Sequence, residues 1–532
     1  MADVVLSDGT IYTVDTQNPE AEAVAIKGDR IVYVGNNDEA EKWVGEITHV
    51  IDLEGKIVFP GFIDCHGHIE WYGRSQKEVS FYDATSYDEV LEHIRPYIYN
   101  AQPGQWIFGH GWAQSNWHDK KTPTHEPLSA ISPDNPVWLR RIDGHSALIN
   151  AKAMALAGIG KDTQDPEGGE IVKDPNTGEP TGIVVDEAMS LITRLIPSIT
   201  RKDRIQLILK TVDDAVAVGL TGIHDAGVSY EVIEIYKELA QEGRLKIRIY
   251  AMLGGFDVYL DDYFKLPCLI GVAENHLTMR SIKIALDGAL GSRGAFLLED
   301  YSDRPGHRGL MMRDPASIKS IAVEALRKGF QLNTHAIGDR GNRLILDIIE
   351  SALKDNPAED HRFRIEHVQL IALNDIPRFA ELGVIPSMQQ THATSDMYWT
   401  KDRIGPERVK GNYAWRKILD SGSIIAGGSD FPIESINPLW SFYSAITRQN
   451  HDGWPPGGWY PEERMSREEA LKSFTIWAAY AAFEEDIKGS ITPGKLADMV
   501  VLSKDIMRIP PEEILETKTV LTIVGGKIVY QA

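Results

Sequence analysis

The feature that most limits what this chain can fold into is a recurring alternation of short apolar runs with longer, helix-like stretches. The runs fall at 57–64, 220–224, 247–252, 281–286, 330–335, 363–368, 384–389 and 424–429. Segments of helical length lie between several of them, at 203–219, 229–242, 315–329, 340–354 and 373–382. Strands alternating with helices favour a parallel α/β architecture. With eight strands, the economical arrangement is a (β/α)8 TIM-type barrel whose C-terminal strand ends carry the chemistry.

The two ends of the chain read differently. Val4-Val5-Leu6, Ile11-Tyr12-Thr13-Val14, Ala23-Val24-Ala25-Ile26 and Ile31-Val32-Tyr33-Val34 are short strands broken by Asp8-Gly9 and Gly28-Asp29, which are hairpin signals. Met499-Val500-Val501-Leu502 and Val520-Leu521-Thr522-Ile523-Val524 repeat the pattern near the other terminus. Neither group could cover its own edges, so both are expected to pair in one small β-sandwich domain built from 1–56 plus 491–532. The barrel then occupies 57–490. The stretch 70–200 is too long for one connection and is expected to form an inserted subdomain over the barrel mouth.

Length and composition agree with such a plan. The 532 residues, 43% of them hydrophobic, suffice for a large barrel with a satellite domain. A formal net charge of -22, from 55 Lys and Arg against 77 Asp and Glu, excludes a basic nucleic-acid footprint. Cys65 and Cys268 are the only cysteines, too few for a disulfide framework. No apolar run approaches eighteen residues. A cytoplasmic protein is expected, with a small-molecule partner, no nucleic acid and no membrane; a homo-oligomer stays open.

The barrel count can be tested against chemistry. His66 and His68 are separated by one residue at the end of the first run, and residues i and i+2 of a strand share a face. His335, His367 and Asp430 also lie at the ends of runs, the fifth, sixth and eighth. Four histidines and a carboxylate at C-terminal strand ends form a metal site, with one or two divalent ions and zinc the first expectation. Lys283 interrupts the fourth run. It is a lysine paired with Asp287 or another carboxylate, one whose stem snorkels, or an amine whose pKa burial lowers, so that CO2 can convert it to a metal-bridging carbamate.

The motifs as a set resemble the amidohydrolase superfamily, most closely its family 3 branch, which includes enzymes like N-substituted formamide deformylase. The resemblance rests on Pro60-Gly61-Phe62-Ile63-Asp64-Cys65-His66-Gly67-His68, Arg141-Ile142-Asp143-Gly144-His145, Gly222-Ile223-His224-Asp225, Asp287-Gly288-Ala289-Leu290-Gly291-Ser292-Arg293, His335-Ala336-Ile337-Gly338-Asp339-Arg340, Ile365-Glu366-His367, Gly428-Ser429-Asp430-Phe431-Pro432 and Pro493-Gly494-Lys495-Leu496-Ala497-Asp498. It implies His66 and His68 on one metal, His335 and His367 on a second, carboxylated Lys283 as a bridge, and Asp430 near both. It further implies hydrolysis of a C–N amide bond in an N-acyl or N-formyl compound by metal-activated hydroxide, with Asp430 as general base and then acid. Cys65 departs from the serine common in relatives and, by alternation, faces away from the metal.

Loops over the mouth must supply substrate contacts. His145 and His392 are expected as carbonyl or oxyanion donors, and Trp112 and Arg293 as further substrate contacts. Trp117, Trp399, Trp454 and Trp459 could wall an apolar pocket or merely pin loops. Deamination, hydrolysis of an ester, lactone or phosphotriester, and a noncatalytic metal-binding barrel are the alternatives.

Overall fold

The computed structural model describes residues 1–255 and 260–532. Its centre is a parallel sheet of eight strands: β1 (Phe62–Gly67), β2 (Leu220–Val228), β3 (Arg248–Gly254), β4 (Leu277–Ala285), β5 (Gln331–Ala336), β6 (Arg364–His367), β7 (Ile385–Gln389) and β8 (Ala426–Gly428). They pair in chain order from β1 to β8. Just beyond β8, Asp430 N–H donates to the His66 carbonyl at 2.7 Å, and a parallel bridge joins Gly67 to Phe431. These contacts bring the sheet nearly to closure.

Helix signals in the sequence act where they stand. Thr200 caps the helix Arg201–Ala217 by accepting from Asp203 N–H. Asp314 caps Pro315–Lys328, where proline takes the first turn and Gly329 ends the helix at φ 73°, a conformation that suits a residue without a Cβ. Helices Tyr230–Gln241 and Asp339–Asp355 bury apolar faces that join the barrel core.

One expected boundary is corrected. Residues 57–60, read with the first barrel strand, form a separate strand that pairs antiparallel with Met499–Leu502 and parallel with Thr10 and Ile11. The break falls at Gly61, where a Cβ would come within 2.2 Å of Thr221 Oγ1. Strands from both termini therefore share a six-stranded sheet. A second sheet of four strands, including Val4–Ser7 and Ala23–Lys27, packs with it around Leu6, Ile26, Val58, Met499 and Ile523. This pair of sheets is not detached from the barrel. Tyr12, Phe59, Val500 and Leu502 belong to the same apolar cluster as the barrel helices.

Between β1 and β2 the chain builds a six-stranded sheet from residues 79–186. It has its own apolar cores. Its turn after Val137–Arg141 carries His145 to the barrel, where the His145 and His335 ring centroids lie 5.1 Å apart.

Candidate metal centre

Strand geometry assembles the first histidine pair. His66 and His68 leave the end of β1 with ring centroids 5.4 Å apart. His68 Nδ1–H donates to the Ala226 carbonyl of β2 at 3.0 Å, which leaves a lone pair on Nε2. That Nε2 lies 3.0 Å from Asp430 Oδ1. Two acceptors held at this separation repel unless a cation stands between them, and a proton or a metal ion would serve.

His66 repeats the arrangement deeper in the barrel. Its Nδ1–H donates to Glu366 Oε2 at 2.5 Å, and its Nε2 lies 3.7 Å from Asp430 Oδ1. This Nε2 is buried without a hydrogen-bond partner, as are those of His335 and His392. Burial holds the pKa values of His66, His335 and His367 well below the ordinary value. Neutral imidazoles with unshared electron pairs suit a metal ion.

Asp430 is the hub. Its oxygens are within reach of two compact donor groups, His66 with His68 and His367 with His392. Burial alone would raise its pKa, but the His68 hydrogen bond and the His66, His68 and His392 rings hold it well below the usual carboxylate range. The residue adopts φ 60°, an uncommon conformation for a non-glycine.

His367 reaches the cluster through another backbone departure. Strict alternation would place Glu366 and His367 on opposite faces of β6. At φ 75°, His367 breaks that alternation. Its ring lies 4.8 Å from that of His66 and 4.5 Å from that of His335, and its Nδ1–H donates to Gln389 Oε1 at 2.8 Å.

The structure distributes the expected residues unevenly. His392 stacks on His367 at 6.2 Å and completes a compact donor group that His335 does not join. The His335 Nε2 instead lies 3.6 Å from Asp287 Oδ1. Lys283, in β4, makes no hydrogen bond or ion pair among the described residues, and burial lowers its pKa. Asp287 is not its partner, for that carboxylate accepts the N–H groups of Phe296, Ile337 and Gly338. Cys65 packs with Ile63, Ile385 and Ala426, away from the histidines.

His145 lines a cavity of about 70 Å³ together with His335, His367, His392, Trp399 and Asp430. Its Nδ1–H donates to Asp186 at 2.7 Å; although burial opposes it, this bond raises the His145 pKa. Trp112 and Arg293 stand elsewhere. Trp112 is in the core of the inserted sheet, donating to the Leu139 carbonyl at 2.8 Å, and Arg293 pairs with Asp303 at 2.8 Å. Trp117 shares the core of Trp112, Trp454 is exposed against Tyr398, and Trp459 packs on Tyr460.

Sequence reasoning missed the residues that hold the ligands. Arg364, fully buried, donates to Glu366, His224, Ser387 and the Cys65 carbonyl. Glu434 lines the cavity with its pKa pushed up to about 8 by burial and hydrogen-bonds Ser395 at 2.5 Å. Charged residues inside an otherwise apolar strand, as at Arg364 and Glu366, were the available signal.

Comparison with known proteins decides the family. Residues 49–530 match the model of the amidohydrolase family. The chain belongs to the amidohydrolase family. It is 34% identical to Protein LONG AFTER FAR-RED 3 of Arabidopsis thaliana, over 100% of this chain and 92% of the relative. It is 28% identical to an N-substituted formamide deformylase of Arthrobacter pascens, over 100% of this chain and 99% of the relative. An uncharacterized metal-dependent hydrolase from Pyrococcus furiosus superposes with a TM-score of 0.73 at 30% identity, covering 95% of this chain and all of that one. The family, the barrel and the His/Asp cluster make this amidohydrolase a metal-dependent hydrolase. No described helix is long and apolar enough to cross a membrane.

Proposed function

We propose that this amidohydrolase cleaves a C–N amide bond in a small N-acyl or N-formyl compound. The observation that carries the reading is Asp430, whose two oxygens face His66 and His68 on one side and His392 on the other. Similarity to an N-substituted formamide deformylase supports the bond type.

His66, His68, His367, His392 and Asp430 would hold the ion, zinc being the best match to imidazole and carboxylate donors. When bound, such an ion supplies Lewis acidity and lowers the pKa of water toward roughly 7. Asp430, kept ionised, accepts the proton of the attacking water and then gives it to the leaving nitrogen. His145, held by Asp186, is positioned to donate to the oxygen of the carbonyl under attack. Trp399 and Ile433 give the cavity apolar wall. Glu366, Gln389 and the Ala226 carbonyl fix the ring orientations. Lys283, unpaired and with a lowered pKa, is suited to carboxylation, and its carbamate would bridge the ions where two are bound. A cytoplasmic location belongs to the same reading, since both cysteines are free.

The test is metal analysis joined to a hydrolysis screen over N-formyl, N-acyl, cyclic amide and ester compounds, with and without bicarbonate. Amide turnover with bound zinc, raised by bicarbonate in a manner lost in Lys283→Ala, is expected. Ammonia release from an amino-heterocycle, or ester cleavage without amide cleavage, would replace the reading.

A further inference from the structure

His68 touches the metal centre and borders a separate cavity. Its Nε2 contacts Asp430 in the metal centre, and its ring borders a second, larger cavity of about 510 Å³ between the inserted sheet and the barrel. That volume is typical of small-molecule sites. Trp71, Phe108 and Trp138 supply aromatic walls, and Trp71 lies 5.5 Å from the His68 ring.

Three carboxylates and three arginines line this cavity. Glu70 is engaged by Arg204 at 2.8 Å, and Asp225 by Tyr236 and by Ile69 N–H, whereas the Glu78 carboxylate has no hydrogen bond among the described residues and takes Arg140 and Arg74 as its nearest counter-charges. Arg140 and Arg74 have no ion-pair or side-chain hydrogen-bond partner among the described residues. The Arg140 guanidinium lies 4.4 Å over the Trp71 ring, and its Nε is buried without an acceptor. Burial lowers its pKa to about 10, which leaves it charged at neutral pH. An arginine held over an indole, with open donors toward a cavity, is arranged for a planar anion.

We infer that the cavity beside His68 is a substrate subsite that binds a carboxylate through Arg140, with Arg74 alongside, and an aromatic or apolar group against Trp71, Phe108 and Trp138. Resting on the amide-hydrolase reading, it makes the substrate class N-acyl or N-formyl compounds with an anionic, apolar substituent. Arg140 enters from the inserted sheet, so the insertion selects substrate while the barrel performs the chemistry.

Calorimetric titration of the full chain with phenylpropanoate and with uncharged phenylpropanol tests the subsite without catalysis. Wild type is expected to prefer the carboxylate by about tenfold or more. Arg140→Met should abolish that preference while leaving phenylpropanol binding in place, and Arg140→Lys should keep part of it. Equal affinities in wild type, no binding of either ligand, or an undiminished preference in Arg140→Met would overturn the subsite; the wild-type comparison stands even if a variant misfolds. Kinetics on N-formylphenylalanine and N-formylphenethylamine complete the experiment, with the former favoured by about tenfold or more in kcat/KM. Arg140-dependent binding with no turnover of any amide would preserve the anion subsite and remove the hydrolytic reading instead.

Discussion

Glu366 Oε2 accepts the His66 Nδ1–H at 2.5 Å inside the barrel, and Arg364 in turn holds Glu366 at 2.8 Å. The carboxylate fixes the tautomer that leaves His66 Nε2 free to bind. Second partners of this kind typically govern metal affinity. Glu366→Gln should therefore weaken metal binding by roughly 10- to 100-fold, measured by chelator competition, with circular dichroism confirming the fold. Unchanged affinity would mean that the contact does not orient the ligand.

Asp430→Asn removes the proton acceptor while retaining its size and the surrounding histidines. Metal should stay bound, and kcat should fall by about 100- to 10,000-fold. Steady-state assays on metal-saturated protein provide the comparison. Full turnover in this variant would remove Asp430 from proton transfer.

The closing seam of the barrel depends on a close approach. A Cβ on Gly428 would meet His66 N at 2.8 Å and Asp64 Oδ1 at 2.9 Å. Gly428→Ala must push β8 from β1, at a cost of roughly 1–3 kcal/mol, and should impair metal binding through His66. Denaturant unfolding and metal content, measured on the same preparation, would expose either effect. Wild-type values for both would show that the seam yields without strain.

A buried ion pair joins the barrel to the terminal sheets. Arg248 in β3 donates two hydrogen bonds to Asp498, at 2.6 and 2.8 Å, and Gly525 N–H adds a third at 2.8 Å. Burial alone would raise the Asp498 pKa, but Arg248 brings it below the ordinary value. A lowered folded-state pKa gives stability that is present above the unfolded value and is lost as pH falls through the folded one. Asp498→Asn, which strands Arg248, should cost roughly 3–5 kcal/mol near neutral pH. The deficit should shrink under acid, where the wild-type carboxyl is also protonated. Urea midpoints across acidic and neutral pH will show this convergence; a constant deficit would mean that charge is not the cause.

The sequence alone determined the architecture and the principal ligand candidates. Eight short apolar runs separated by helical stretches leave few arrangements besides a barrel, and strand periodicity placed His66, His68, His335, His367 and Asp430 at the mouth. Both are local patterns, carried by spacing along one segment of chain. Only tertiary structure decided which residues meet. Gly61 divided the first run because a neighbouring strand leaves no room for a side chain. Backbone departures at His367 and Asp430 set ligand directions that alternation could not supply. Trp112 went to a core and His392 to the metal cluster because packing across distant segments, not residue type, fixes where a side chain points. The partners that orient each histidine, Glu366 for His66 and Gln389 for His367, are likewise products of strand pairing. Hydrogen bonds between residues 300 positions apart leave no periodic trace in the sequence, because the barrel's closure alone brings them together.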